Sequence, residues 1–254
     1  MEWYFEYQIN DNKPGLLGDV ATFLGLLEIN IKMINGLAPK TRGLLIRADD
    51  HSKIVTLKRA LASSNNIEVT AIRRPTLIDK INLQHGKMIH KSKTSPNTYS
   101  FTRDDLGMLV DFMGGLMQKS SNAIIGVRGM PQVGKTEAII AACVHANKKW
   151  VLVSSTMMRQ VIRGHLMDDE LNSECVLVID GIVSSLRSNE NHKKLVDEII
   201  RLPIPKVIEH PDIFLRENDY TSKLIDYTVE LRRSEDEEIN YEFVNQSFSS
   251  FDIS

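Results

Sequence analysis

Residues 123–136, AIIGVRGMPQVGKT, contain the pattern that decides the expected fold. The apolar run over 123–127 predicts a short strand buried on both faces of a sheet. Gly129-Met130-Pro131-Gln132-Val133-Gly134-Lys135-Thr136 follows and fits G-x-x-x-x-G-K-[ST] at every fixed position. Apolar residues at helical spacing over 135–147 predict a helix directly after it. A strand, a glycine-rich loop and a helix in this order favour phosphate binding at the helix N-terminus.

Each fixed position of this loop has a chemical reason. Gly129 and Gly134 let the backbone wrap closely, so that its N–H groups face phosphate oxygens. Lys135 supplies a point charge for the β- and γ-phosphates, and the Thr136 hydroxyl is a ligand for Mg²⁺. The predicted nucleotide contacts are the eight loop residues Gly129, Met130, Pro131, Gln132, Val133, Gly134, Lys135 and Thr136.

A second motif, an apolar run that ends in an acidic residue, lies downstream. The apolar run 176–179 predicts a buried strand, and it ends in Asp180. Loop and acid together resemble the P-loop NTPase superfamily over about 120–210. The resemblance implies ATP or GTP with Mg²⁺, held by Thr136 and Asp180. No N-K-x-D guanine motif is present, so ATP is the expected nucleotide. Additional-strand ATPases often carry a catalytic Glu after the acid, where this chain has Gly181.

Turnover at a phosphate also needs positive charge. The sequence offers Arg128, just before the loop, and Arg187, after the acidic strand; surface roles stay open for both. Lys135 completes the expected catalytic set.

The rest of the carboxy-terminal half predicts an α/β fold. Strands at 150–154, 175–179 and near Val207 alternate with helices, which implies a mostly parallel sheet. Alternating residues at 227–231 and 239–243 predict a C-terminal β-hairpin. We expect this domain to span 102–254.

The amino-terminal 1–75 predicts a separate domain. Strand-like and helix-like segments alternate in the order βαββαβ, the ferredoxin-like arrangement. The phrase 11–20, DNKPGLLGDV, followed by Glu28-Ile29-Asn30-Ile31, resembles an ACT domain.

The ACT resemblance implies regulation. Such domains pair side by side and bind a small ligand, often an amino acid, at the loop before the first helix. Carried over by position, Asn12, Gly15 and Leu16 would meet the ligand, with Asn30 facing the same region. The alternative is that Pro14 and Gly15 only shape a turn and that the module only forms a homodimer. The pairing of the two modules resembles an uncharacterised bacterial family.

Between the domains, residues 76–101 are expected to form a basic linker, with a short helix near 77–83 as one alternative. Strongly salt-dependent binding would be needed to support nucleic-acid binding by the basic segment 73–93.

Composition excludes several classes of protein. The 254 residues carry 31 basic and 33 acidic side chains, a net charge of -2, which argues against a dedicated nucleic-acid binder. No stretch reaches the roughly 20 apolar residues that span a bilayer. The amino terminus lacks a signal-peptide pattern, and two cysteines are too few for a disulfide framework. We therefore expect a cytoplasmic protein without a membrane partner.

Two functions remain after these exclusions. The first is an ATP- and Mg²⁺-dependent enzyme, a small-molecule kinase or an ATPase, regulated by a metabolite at the ACT-like domain. The second is a non-catalytic sensor of nucleotide and metabolite that acts through dimerisation or a partner.

Overall fold

The computed structural model describes residues 1–153, 174–182 and 190–239. Its internal contacts divide the chain into two compact units, Met1–Ile89 and His90–Ser254. Within the described residues, no helix is both long enough and apolar enough to cross a membrane.

The first unit is built on a four-stranded antiparallel sheet. Its strands lie in the order β2-β3-β1-β4. The elements are β1 (Glu2–Ile9), α1 (Leu16–Leu26), β2 (Asn30–Ala38), β3 (Thr41–Arg47), α2 (His51–Leu61), β4 (Ile67–Arg73) and α3 (Leu77–His85). The first six follow the βαββαβ order that the sequence predicts.

Side chains alternate along β1, as the pleat of a strand requires. Trp3, Phe5 and Tyr7 point to one face and join the main core, which also contains buried residues of α1 and α2. Tyr4 points to the other face and packs in a smaller cluster with Leu83 of α3. The sheet is therefore covered on both faces.

The helix α3 lies in the first part of the segment expected as a linker, where the sequence allows a short helix near 77–83. A capping box between Thr76 and Asp79 starts this helix, and Gly86 ends it in the left-handed conformation at φ 65°. Asp79 is buried and accepts hydrogen bonds from Arg73. Leu83 of this helix packs against the sheet and Asp79 pairs with Arg73, so this part of the segment is packed rather than a solvated connector.

The second unit contains a seven-stranded sheet in the order β5-β6-β11-β7-β10-β9-β8. All neighbours pair in parallel except β5 with β6. Its strands are β5 (His90–Lys91), β6 (Thr98–Thr102), β7 (Ile124–Arg128), β8 (Lys149–Val153), β9 (Cys175–Asp180), β10 (Lys206–Glu209) and β11 (Tyr227–Arg232). Its described helices are α4 (Leu106–Lys119), α5 (Lys135–His145), α6 (Glu190–Arg201) and α7 (Pro211–Glu217). The mostly parallel α/β prediction is confirmed.

The strand β11 corrects the expected C-terminal hairpin. It lies between β6 and β7 and pairs in parallel with both, so both of its hydrogen-bonding edges are occupied. The other strand of the expected hairpin, 239–243, lies outside the described residues from 240 onward. Strands β5 and β6 take up the second half of the segment expected as a linker.

Candidate functional site

The 129–136 loop joins β7 to α5 at the carboxyl edge of the parallel sheet. Gly134 is the N-cap of α5 and has a φ of 100°, and Gln132 is also left-handed at 62°. A Cβ on Gly129 would lie 2.6 Å from the carbonyl oxygen of Leu231 and 2.8 Å from Val133 Cγ1. Glycine is therefore required at 129 by close packing and at 134 by backbone conformation.

The Lys135 side chain folds back under the backbone of this loop. Its side chain is only 6% exposed, and its Nζ donates hydrogen bonds to the carbonyl oxygens of Gly129 at 3.0 Å and Met130 at 2.9 Å. Burial lowers the pKa of Lys135, while the nearby Glu209 and Asp180 carboxylates oppose that shift. The chain thus holds a buried cation at the first turn of α5.

Two carboxylates lie beside the loop because of the strand register. Glu209 ends β10 and pairs with Val127 of β7 on one side and with Asp180 of β9 on the other. The Thr136 hydroxyl donates to Glu209 Oε1 at 2.8 Å. Asp180 Oδ1 accepts the backbone N–H of Ile182 at 3.0 Å.

The electrostatics of this edge follow from burial. Burial raises the pKa of Glu209, and the Asp180 carboxylate raises it further. Burial also lowers the pKa of His210 to about 3, with a further contribution from Lys135, so this imidazole is neutral at physiological pH. The site therefore combines one buried cation, two acids and a neutral imidazole.

Arg128 is engaged below the loop rather than free for a phosphate. Its Nε and Nη2 donate to the Asp212 carboxylate at 2.8 and 2.5 Å, and its Nη1 lies 3.4 Å from Glu230 Oε1. This double contact joins the end of β7 to α7 and β11. Arg187, the other candidate arginine, lies outside the described residues.

Comparisons with known proteins show which family the chain belongs to. The model of a family described as "Protein of unknown function (DUF3388)" matches residues 69–253. The chain belongs to the DUF3388 family. It is also 48% identical over 260 residues to the "Uncharacterized protein YmfK" of Bacillus subtilis (strain 168), covering all of this chain and 97% of that protein.

Among solved structures, one match is a phospho-2-dehydro-3-deoxyheptonate aldolase from Thermotoga maritima. It covers 96% of this chain and 75% of that chain at 10% identity, but its TM-score of 0.22 is too low to carry an argument.

The DUF3388 region contains every residue of the carboxyl-edge site and excludes the 11–16 loop of the first unit. Four of its site residues were missed by sequence reasoning: Glu209, His210, Asp212 and Glu230. A signal existed for Glu209, because 206–209 is a short strand that ends in an acid, as the one ending at Asp180 does. Its meaning depends on strand order, which local sequence does not contain.

The expected ligand residues of the first unit, outside the DUF3388 match, do not form one region within the chain. Asn12 and Gly15 are exposed, whereas Leu16 is buried in the core with a side-chain role in packing. Asn30 pairs with Arg47, and Arg47 pairs with Glu2 at the start of β1. The 11–16 loop follows the other end of β1, roughly 20 Å away at 3.3 Å per residue. The placement of Asn30 beside that loop is therefore wrong for a single chain.

Proposed function

We propose that the chain is an ATP- and Mg²⁺-dependent P-loop enzyme, either a small-molecule kinase or an ATPase. The observation that carries the proposal is Lys135, buried under a G-x-x-x-x-G-K-[ST] loop at the N-terminus of α5. Its two carbonyl contacts hold the ammonium at the loop until a stronger acceptor arrives. Phosphate oxygens are such acceptors, and the helix N-terminus favours the same negative charge.

The donor set beside the loop fits Mg²⁺. Thr136 and Asp180, the expected ligands, offer only oxygen atoms, and Mg²⁺ binds through one or two carboxylates together with substrate phosphates and water. The described residues contain no cluster of three or more His, Cys, Asp or Glu side chains that could hold a metal ion. When bound, Mg²⁺ would neutralise charge on the β- and γ-phosphate oxygens.

The first unit supports regulation of this activity by a small metabolite such as an amino acid. The 11–15 loop is exposed at the start of α1, where a carboxylate is favoured. A cavity of about 460 Å³ also lies along β4 and is lined in part by Asn10, Lys58 and Thr70. The sheet edge β2, with Met33 and Ile34 exposed, suits pairing with a second copy.

The test is ATP hydrolysis and ATP binding by the purified chain with Mg²⁺, with and without a pool of amino acids. Lys135→Ala should lower ATP affinity at least tenfold and abolish turnover, because the phosphates lose their point charge. Lys119→Ala, at an exposed lysine ending α4, is the matched control and should change neither. Unaltered ATP affinity in Lys135→Ala would overturn the proposal.

A second candidate is a non-catalytic sensor of nucleotide and metabolite, and Gly181 favours it. A Cβ at this position would overlap the carbonyl oxygens of Glu209 and His210, so no glutamate fits directly after Asp180. Tight ATP binding without turnover, together with a ligand-dependent change in oligomeric state by analytical ultracentrifugation, would favour the sensor.

A further inference from the structure

Glu209 is the last residue of β10, the strand that lies between β7, which leads into the 129–136 loop, and β9, which ends in Asp180. Because β10 lies between β7 and β9, its last residue reaches the carboxyl edge between the 129–136 loop and Asp180. The carboxylate that contacts Thr136 is thus on β10, and the contact is a hydrogen bond of 2.8 Å.

This hydrogen bond fixes the direction of the Thr136 hydroxyl. A hydroxyl has one proton to donate and two lone pairs to accept or to ligate. With the proton directed at Glu209 Oε1, the lone pairs face other directions and remain for a cation. A hydroxyl that rotates freely would pay an entropic cost to present a lone pair to the ion.

We propose that Glu209 is the positioning residue of the cation site, orienting the Thr136 hydroxyl and adding its negative charge to that of Asp180. This inference rests on the proposed function, since the cation arrives with the nucleotide. Outer partners of this kind fix the orientation of a metal ligand, and their loss typically costs about 10- to 100-fold in metal affinity.

The packing around Gly181 supports this assignment. The backbone of Glu209 and His210 passes so close to Gly181 that any Cβ there would overlap it. Glycine after Asp180 therefore allows the end of β10 to approach β9, which brings Glu209 into the site. Position 181 has no space for an acidic side chain, and the same close approach of the two strands brings the Glu209 carboxylate into the site.

The experiment measures how much Mg²⁺ tightens ATP binding by the full-length chain. Titration calorimetry gives the ATP Kd with Mg²⁺ and with EDTA, and the ratio of the two is the magnesium gain. Glu209→Ala should lower this gain at least tenfold, and Glu209→Gln should lower it less, because an amide oxygen still accepts from Thr136. Glu217→Ala, at the end of α7 and paired with its neighbour Arg216, is the matched control and should keep the gain of the unaltered chain.

A double-mutant cycle separates orientation from a general loss of charge. Thr136→Val removes the hydroxyl, so adding Glu209→Ala to it should lower the gain by much less than tenfold. Thermal unfolding of each variant establishes that it is folded, and Glu209→Gln, which keeps the shape, decides the matter where Glu209→Ala fails to fold.

The outcomes distinguish the two proposals. An unchanged magnesium gain in folded Glu209→Ala and Glu209→Gln, with ATP binding lost in Lys135→Ala, would overturn the role of Glu209 alone. A full tenfold loss on top of Thr136→Val would overturn the orienting role. Absence of ATP binding by the unaltered chain would overturn the proposed function and this inference with it.

Discussion

The chain makes the same local turn twice, once in each unit. The 11–15 loop leads from β1 into α1, and the 129–134 loop leads from β7 into α5. In both, a left-handed glycine immediately precedes the helix, Gly15 at φ 89° and Gly134 at φ 100°, and neither helix has a side-chain cap.

The surroundings of the two loops differ. Around the 11–15 loop the side chains are exposed, and a Cβ on Gly15 would meet nothing within 4 Å. The 129–136 loop lies against β11 and has a buried lysine beneath it and two carboxylates beside it. A parallel sheet supplies this environment, because the carboxyl ends of several strands meet at one edge. The turn is therefore common to both loops, and the adjoining strands account for the difference in their surroundings.

The largest expected difference comes from adding a methyl group to each loop. Gly129→Ala should lower the free energy of unfolding by about 3 kcal/mol, because its Cβ would overlap the backbone oxygen of Leu231, which no rotamer change relieves. Gly15→Ala should cost only about 1 kcal/mol, since strain at positive φ is its main penalty. Urea unfolding of both variants measures the difference, and equal losses would contradict the contrast.

The ion pairs next to the two loops should differ by a smaller amount. Asp212→Asn should cost about 1.5 kcal/mol, because it replaces a bidentate partner of the half-buried Arg128 by a neutral amide. Asp11→Asn removes the exposed partner of Lys13 and should change stability by less than about 0.5 kcal/mol.

Screening by salt weakens exposed ion pairs much more than partly buried ones. The stability difference between Asp212→Asn and the unaltered chain should therefore persist at high salt, and its disappearance would contradict the prediction. The control is Asp11→Asn, measured in the same salt series by urea unfolding.

Local patterns were enough for most elements of both units. The alternation of β1, the helical spacing of α1 and the short apolar runs at β7 and β9 each show which side of the element is buried, and a short stretch of sequence contains that information. The position of β11 could not be predicted in this way. Its alternating polar residues are typical of a half-exposed hairpin, but Glu230 is compensated by Arg128 and Arg232, which allows the strand to lie inside the sheet.

In the candidate site too, some residues could be predicted from local sequence and others could not. Lys135, Thr136 and Asp180 follow from a spaced motif and from an acid after an apolar run, and their roles stay predictions. Glu209 carries the same local signal as Asp180, but its contact with Thr136 arises only because β10 lies between β7 and β9. The order of strands in a sheet is a property of the whole unit, so no window of sequence around Glu209 contains it.

The smallest expected effect concerns the other end of β10, where the second unit buries a lysine that has no counterpart beside the 11–15 loop. Lys206 is 1% exposed and donates to the carbonyl oxygens of Leu202 and Ile204, and burial lowers its pKa from 10.5 to about 8. Above pH 8 the folded chain loses this proton while the unfolded chain keeps it, so stability should rise with pH. Relative to Lys206→Met, the unaltered chain should gain about 1 kcal/mol of unfolding free energy between about pH 7 and 9. Urea unfolding of both proteins across this range measures the gain, and a difference that stays constant with pH would show that the ammonium group is not desolvated.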